Sequence, residues 1–187
     1  MPFPTVSRIE STRLVLRPVV ATDLPDLLEV NGDPEVTRFL PYETWRSLAD
    51  AAAWLTRMEE LVAAGTGQVF ALVRRADSKV VGDLLLFKYD EGSARVELGY
   101  VLGRAHWGQG LMREAVMAAC AAAFDGLGLR RVEAEVNPEN LASCALLRQV
   151  GFTLEGTLRQ RWSAKGQTYD TNMYGLLAGD PRSAGGR

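Results

Sequence analysis

The sequence predicts an α/β domain built on one mixed sheet, mostly antiparallel with a single parallel pair, and three observations carry this. Three strand-like runs, Val69 to Arg74, Val80 to Phe87 and Arg95 to Leu102, follow one another across short turns at Asp77-Ser78-Lys79 and Glu91-Gly92-Ser93. Strands joined by such short turns are antiparallel neighbours. The third run then passes through a turn holding Gly108 and Gly110 into a long apolar helical stretch, Ala115 to Phe124, and on to a fourth run, Arg131 to Val136. A crossover helix of this kind leaves the strands on either side of it parallel. Finally, 187 residues with 47% apolar and 24% charged side chains fit one soluble domain with a real core.

Taken in order, residues 1 to 11 carry little pattern and are expected to form a loose arm. Leu14, Leu16 and Val19 alternate as a first strand should, and Pro18 places that strand at an edge or ends it. Thr22 or Asp23 is suited to cap a helix through Leu24, Leu27, Leu28 and Val30, with Pro25 acceptable in its first turn and Asn31-Gly32-Asp33-Pro34 stopping it. Pro34 to Phe39 reads as a short helix. Pro41 interrupts before a longer one, Ser47 to Ala64, whose Leu48, Ala52, Leu55 and Val62 recur near helical spacing and which Gly65 closes. After the fourth central strand come a helix, Leu141 to Gln149, and a hairpin of Phe152 to Trp162 and Gln167 to Leu177 around Ala164-Lys165-Gly166. Residues 1–178 are expected to form one domain, and residues 179–187, rich in Gly, Ser, Pro and Arg, a disordered tail.

A net charge of −2 and a pI near 5.5 argue against broad binding of nucleic acid or anionic membrane. No apolar run approaches the roughly eighteen residues that span a bilayer, and Met1-Pro2-Phe3-Pro4 lacks a signal-peptide pattern, so the expected location is cytoplasmic. Cys120 and Cys144 lie among apolar helical neighbours and are expected to be buried free thiols; with one histidine and no paired cysteines, no metal site is expected.

The glycine turn is the stretch with chemistry in it. The first amides of a helix lack intrahelical partners and carry about half a positive charge, and glycine lets the backbone approach an anion closely. Two nucleotide readings fail at once. A dinucleotide fingerprint needs a third glycine where Arg113 stands, and a Walker loop needs Gly-Lys-Ser/Thr where Gly110-Leu111-Met112 stands.

Trp107-Gly108-Gln109-Gly110-Leu111-Met112-Arg113-Glu114-Ala115 instead resembles the acetyl-CoA pyrophosphate loop of the GNAT N-acetyltransferases, in the branch of the bacterial ribosomal-protein serine and alanine N-acetyltransferases. Three more segments resemble that branch in the same order: Thr12-Arg13-Leu14-Val15-Leu16-Arg17-Pro18, Asn137-Pro138-Glu139-Asn140-Leu141-Ala142-Ser143, and Val150-Gly151-Phe152 with Glu155-Gly156-Thr157-Leu158-Arg159. The resemblance implies a GNAT-type sheet whose parallel pair splays apart, with helices on both faces, acetyl-CoA as cosubstrate, and a primary amine as acceptor. The branch favours a protein N-terminus, in particular a ribosomal protein's, over a polyamine, amino acid or aminoglycoside; a module that binds acyl-CoA without turnover is the other alternative. A homodimer through the last strands is also implied. Leu98, Gly99, Tyr100 and Val101 would meet the pantothenate arm, and His106, Trp107, Gly108, Gln109, Gly110, Leu111 and Met112 the pyrophosphate, with His106 at its rim rather than in catalysis. One departure is Ala105, where the wider family usually has Arg or Gln.

Acetyl transfer to an amine needs a neutral amine, a polarised thioester carbonyl and a proton for the leaving thiolate. Gly99 hints at a bulge that frees an amide for the carbonyl. For the base, Glu97 resembles the acidic residue that precedes Leu-Gly-Tyr in the branch, Glu135 aligns with a glutamate proposed in relatives, and a water relay is the third choice. The tyrosine that many relatives use as acid falls at Leu147, so Ser143 takes that role by resemblance, with Asn140 on the pantetheine arm; the plain alternative is that Asn140 caps the helix. By the same resemblance Phe39, Tyr42, Trp45 and Trp54 would line the acceptor pocket, the plain alternative being that they pack a helical lid, and Asp170 would meet the amine unless it pairs with Arg159 or Arg161. Freeing a lysine amine at pH 7 costs about 4.6 kcal/mol but an α-amine only about 1.4, so a peptide N-terminus tolerates a weak base.

Overall fold

The computed structural model describes residues 1–181, and residues 182–187 of the expected tail lie outside the described residues. Eight strands make one sheet: β1 (Ile9–Glu10), β2 (Leu14–Pro18), β3 (Gln68–Arg74), β4 (Val80–Asp90), β5 (Arg95–Leu102), β6 (Arg131–Val136), β7 (Thr153–Ala164) and β8 (Gln167–Leu177). Their order is β1-β2-β3-β4-β5-β6-β8-β7, so the last hairpin inserts β8 beside β6 and leaves β7 at the edge. All neighbours are antiparallel except β5 and β6.

Helices cover both faces. On one side α4 (Leu111–Ala121), continued by a widened turn Ala122–Gly126, and α5 (Leu141–Val150) pack on Leu16, Leu72, Leu84, Leu98 and Tyr174. On the other, α1 (Leu24–Asn31) and α3 (Leu48–Ala63), with the short α2 (Pro34–Thr37) beside them, close over Val69, Ala71 and Val80. This division follows from the period-two alternation of strand side chains: on β5, Leu98 joins the first core, while Glu97 and Gly99 stand opposite Phe87 and Leu85 on the second face.

The parallel pair splays, as the resemblance implied. Register between β5 and β6 runs only from Arg95, Val96 and Glu97 to Arg131, Val132 and Glu133. Beyond that point β5 stays with β4 and β6 with β8, so the inner edges of Leu98–Leu102 and Ala134–Val136 face a gap.

Three expectations are corrected. The first eleven residues are not loose: Phe3 and Ile9 are buried, Phe3 meets Tyr89 edge-on at 5.4 Å, and its amide bonds Gly65 O at 2.7 Å. Neither Thr22 nor Asp23 caps α1 with its side chain, because Asp23 binds the Arg17 guanidinium through both oxygens at 2.7 and 2.8 Å and accepts the Val20 amide. Gly99 keeps regular register with Leu85; the bulge lies on β4 near Lys88, at φ 52°, where Phe87 pairs Glu97 but Asp90 pairs Arg95. Cys120 and Cys144 are both buried, as expected.

Candidate active site

The glycine turn presents an uncapped helix end. Gly108 (φ 70°) and Gly110 (φ 75°) are both left-handed, Gly110 is the N-cap of α4, and no side chain caps it. The first helical bond is Glu114 N to Gly110 O at 3.1 Å, so the amides of Leu111, Met112 and Arg113 are left without intrahelical partners. Nothing lies within 4 Å of where a Gly108 side chain would start, which leaves the approach open. Leu111 and Met112 are buried anchors and can meet an anion only through their amides. The Trp107 indole N–H donates to Leu102 O at 2.7 Å, tying the turn to the end of β5, and the Gln109 side chain donates to Ala105 O. His106 lies in a polar cleft with Arg74, Lys79, Asp26 and Glu29, and burial first, then Arg74 and Lys79, lower its pKa.

Where β5 faces α5, the Tyr100 hydroxyl and Ser143 Oγ are 2.6 Å apart. Burial raises the Tyr100 pKa well above its usual value. Asn140 caps α5: its side-chain oxygen accepts the Ser143 amide at 3.1 Å. Leu147, on the same helix, is fully buried core.

The opposite face of the gap carries the carboxylates. Glu97 is buried and accepts from Lys88 Nζ at 2.7 Å; burial raises its pKa against the pull of that lysine. Lys88 also reaches Glu135 at 3.4 Å, and Glu135 further accepts the Trp162 indole N–H at 2.7 Å and Arg161 at 3.4 Å. Although burial opposes them, these donors hold Glu135 below the ordinary carboxylate range. Thus Glu97 and Glu135 share one lysine but are tuned in opposite directions.

Two residues without an assigned role in the sequence reading belong here. Asp83, opposite Val101 on this face, is 7% exposed with Oδ2 unpartnered, and burial pushes its pKa up to about 7. A lone acid inside Val80-Val81-Gly82-Asp83-Leu84-Leu85-Leu86 was the signal for it. Arg13 reaches the glycine turn from the start of β2, donating to Gln109 O at 2.9 Å and to Glu114 at 2.7 Å; ninety-six positions separate Arg13 from Gln109, and no local pattern links them.

Of the aromatic candidates, Trp45 and Trp54 are buried and pack at 5.5 Å, and the Tyr42 hydroxyl donates to Asn31 at 2.8 Å, while Phe39 lies under Arg38. Asp170 pairs with neither Arg159 nor Arg161; it accepts the Gln160 amide at 2.9 Å at a bulge in β7. The β7–β8 tip reaches back over α2, where Lys165 donates to Thr37 O at 2.6 Å.

An uncapped glycine turn that feeds a helix beside a splayed parallel pair points to one family, and residues 13–153 match the model of the acetyltransferase (GNAT) domain. The chain belongs to the GNAT acetyltransferase family. It is 34% identical over 165 residues to the uncharacterized N-acetyltransferase p20 of Bacillus licheniformis, spanning 88% of this chain and 93% of that one. It is 28% identical to the ribosomal protein uS5-alanine N-acetyltransferase of Escherichia coli, over 92% of each. A crystal structure of a probable GNAT acetyltransferase from Chromobacterium violaceum superposes with a TM-score of 0.85 at 27% identity, covering 95% of this chain and 89% of that one. GNAT enzymes take their acetyl group from acetyl-CoA, and the open turn at Gly108 and the unpaired inner edge of β5 fit its pyrophosphate and its extended arm.

Proposed function

We propose that this GNAT enzyme acetylates the N-terminal α-amine of a protein, a ribosomal protein by preference, in the cytoplasm. The observation that carries the reading is the two-sided gap beside β5, with Glu97 on one face and the Tyr100–Ser143 pair on the other. Acetyl-CoA, when bound, supplies the acetyl group as an activated thioester. The amides of Gly110 to Arg113 bind its pyrophosphate, and the inward-facing backbone groups of Leu98 to Val101 pair with the pantothenate arm and polarise the carbonyl. Asn140 Oδ1 accepts the Ser143 amide in the helix cap, and its amide N–H groups are offered to that arm.

Glu97 is the favoured base. Its raised pKa stands closer to neutrality than that of Glu135, so it holds a proton from an α-amine more readily. Ser143 gives its proton to the departing sulfur as the C–S bond breaks, Tyr100 holds the serine oxygen by a hydrogen bond, and solvent returns the proton to Ser143 as CoA leaves. The uS5-alanine relative supports the peptide acceptor, as does the modest cost of freeing an α-amine. The unpartnered Asp83 on the acceptor face favours a small cationic amine as second reading. The chain is further proposed to dimerise through the free edge of β7, which exposes Leu154 and Leu158.

The test is thiol release from acetyl-CoA with peptides beginning Ala or Ser, the same peptides blocked at the N-terminus but carrying lysine, and a set of polyamines. Turnover confined to the open α-amines is expected. Turnover on polyamines alone would replace the reading with the second one, and CoA binding without release on any amine would leave a binding module.

A further inference from the structure

The segment Thr12 to Pro18 matches the family yet takes no part in the chemistry above. We propose that Arg13 is the positioning residue of the anion loop, holding the Gln109–Gly110 peptide so that the Gly110 N–H faces the coenzyme's pyrophosphate. The proposal rests on the GNAT reading of that loop.

The geometry is a clamp. Arg13 Nη1 donates to Gln109 O at 2.9 Å, and Arg13 Nε donates to Glu114 Oε2 at 2.7 Å. The other oxygen of Glu114 accepts the Arg13 backbone amide at 2.6 Å and the Ser11 hydroxyl at 2.7 Å. Glu114 sits in the first turn of α4, so one guanidinium binds both the loop and the helix that follows it. All peptides here are trans, and in a planar trans peptide the C=O and the following N–H point in opposite directions. Drawing Gln109 O toward Arg13 therefore turns the Gly110 N–H to the far side of the loop. No capping side chain fixes that peptide, and Gly110 at φ 75° is a residue with wide conformational freedom. An unclamped loop would flip this peptide at little cost and point a carbonyl at the anion instead.

The charges are balanced, so the effect is orientation more than attraction. Glu114 is held ionised below its usual range by the Arg13 amide, Ser11 and the Arg13 side chain, despite burial that opposes them. Its negative charge offsets most of the guanidinium's long-range pull. The Arg13 side chain is about half exposed, and Glu114 keeps the Arg13 backbone amide and the Ser11 hydroxyl as donors when the guanidinium is removed, so variants at this position are expected to fold.

Calorimetric titration of Arg13→Ala, Arg13→Lys and the parent with CoA, and with pantetheine, which has no phosphates, tests this. The expected result is a tenfold or greater loss of CoA affinity in Arg13→Ala, a smaller loss in Arg13→Lys, and no change for pantetheine. Faster hydrogen exchange at Gly110 and Leu111 in ligand-free Arg13→Ala should accompany it. An Arg13→Ala protein that binds CoA within twofold of the parent overturns the proposal alone, as does an equal loss for pantetheine. A parent that binds no CoA overturns the GNAT reading of the loop and the proposal with it.

Discussion

Asp83 makes folding depend on pH in a direction opposite to a paired carboxylate. Its pKa rises from 3.8 to about 7 through burial. Below the unfolded value the group is neutral in both states and costs nothing; as pH rises from about 4 to about 7 the unfolded chain gives up this proton while the folded chain keeps it, so stability falls progressively, by about 4 kcal/mol in all, and no further above the folded pKa. Asp83→Asn is expected to raise the melting temperature at pH 8 and to change it little at pH 4. A gain that is the same at both pH values would show that Asp83 does not ionise on folding's account. Among the residues assigned to chemistry, Glu97→Gln should lower kcat about a hundredfold near neutrality, whereas Glu135→Gln, already held ionised by its neighbours, should stay within severalfold of the parent. Steady-state rates across pH decide it, and two fully active variants would remove both carboxylates. Ser143→Ala should cost about ten- to a hundredfold in kcat with CoA affinity unchanged, measured by rate and by titration. Glu97 and Ser143 were singled out because they sit in segments that resemble the family's motifs. Their partners were not: Lys88 lies nine residues from Glu97, and the Tyr100–Ser143 contact spans forty-three.

At the scale of elements, the strands and helices with strong periodicity appear where the sequence puts them. α3 runs Leu48–Ala63 with Ser47 before it, and β5 spans Arg95–Leu102 as expected. What failed were elements whose partners are distant. The first eleven residues show no periodicity because they pack one side chain at a time, Phe3 against Tyr89 and Ile9 into the main core. Phe3→Ala is therefore expected to cost about 3 kcal/mol, read from the urea midpoint, where a loose arm would cost nothing. The bulge was placed at Gly99 because glycine often marks one, yet it falls at Lys88, a residue with no propensity for φ near 52°. Register between β4 and β5 imposes it, and the same kink coincides with the ion pair from Lys88 to Glu97.

For the whole molecule, the proposed dimer is the property to test: sedimentation across a range of concentrations should show a dimer, and a charged residue at Leu158 should dissociate it. A parent that stays monomeric throughout discards the β7 interface. The architecture itself followed from local information, because short turns force antiparallel neighbours and a crossover helix forces the parallel pair. The sequence by itself determined the antiparallel run, the parallel pair and the glycine turn, since short turns, a crossover helix and two close glycines fix them, whereas the splay and the two helical layers were implied by the family resemblance. Only tertiary structure decided which groups meet across the gap: the clamp from Arg13 to Gln109, the unpartnered carboxyl of Asp83, and the opposite tuning of Glu97 and Glu135. Burial and hydrogen-bond partners set those properties, and both are supplied by residues far away along the chain.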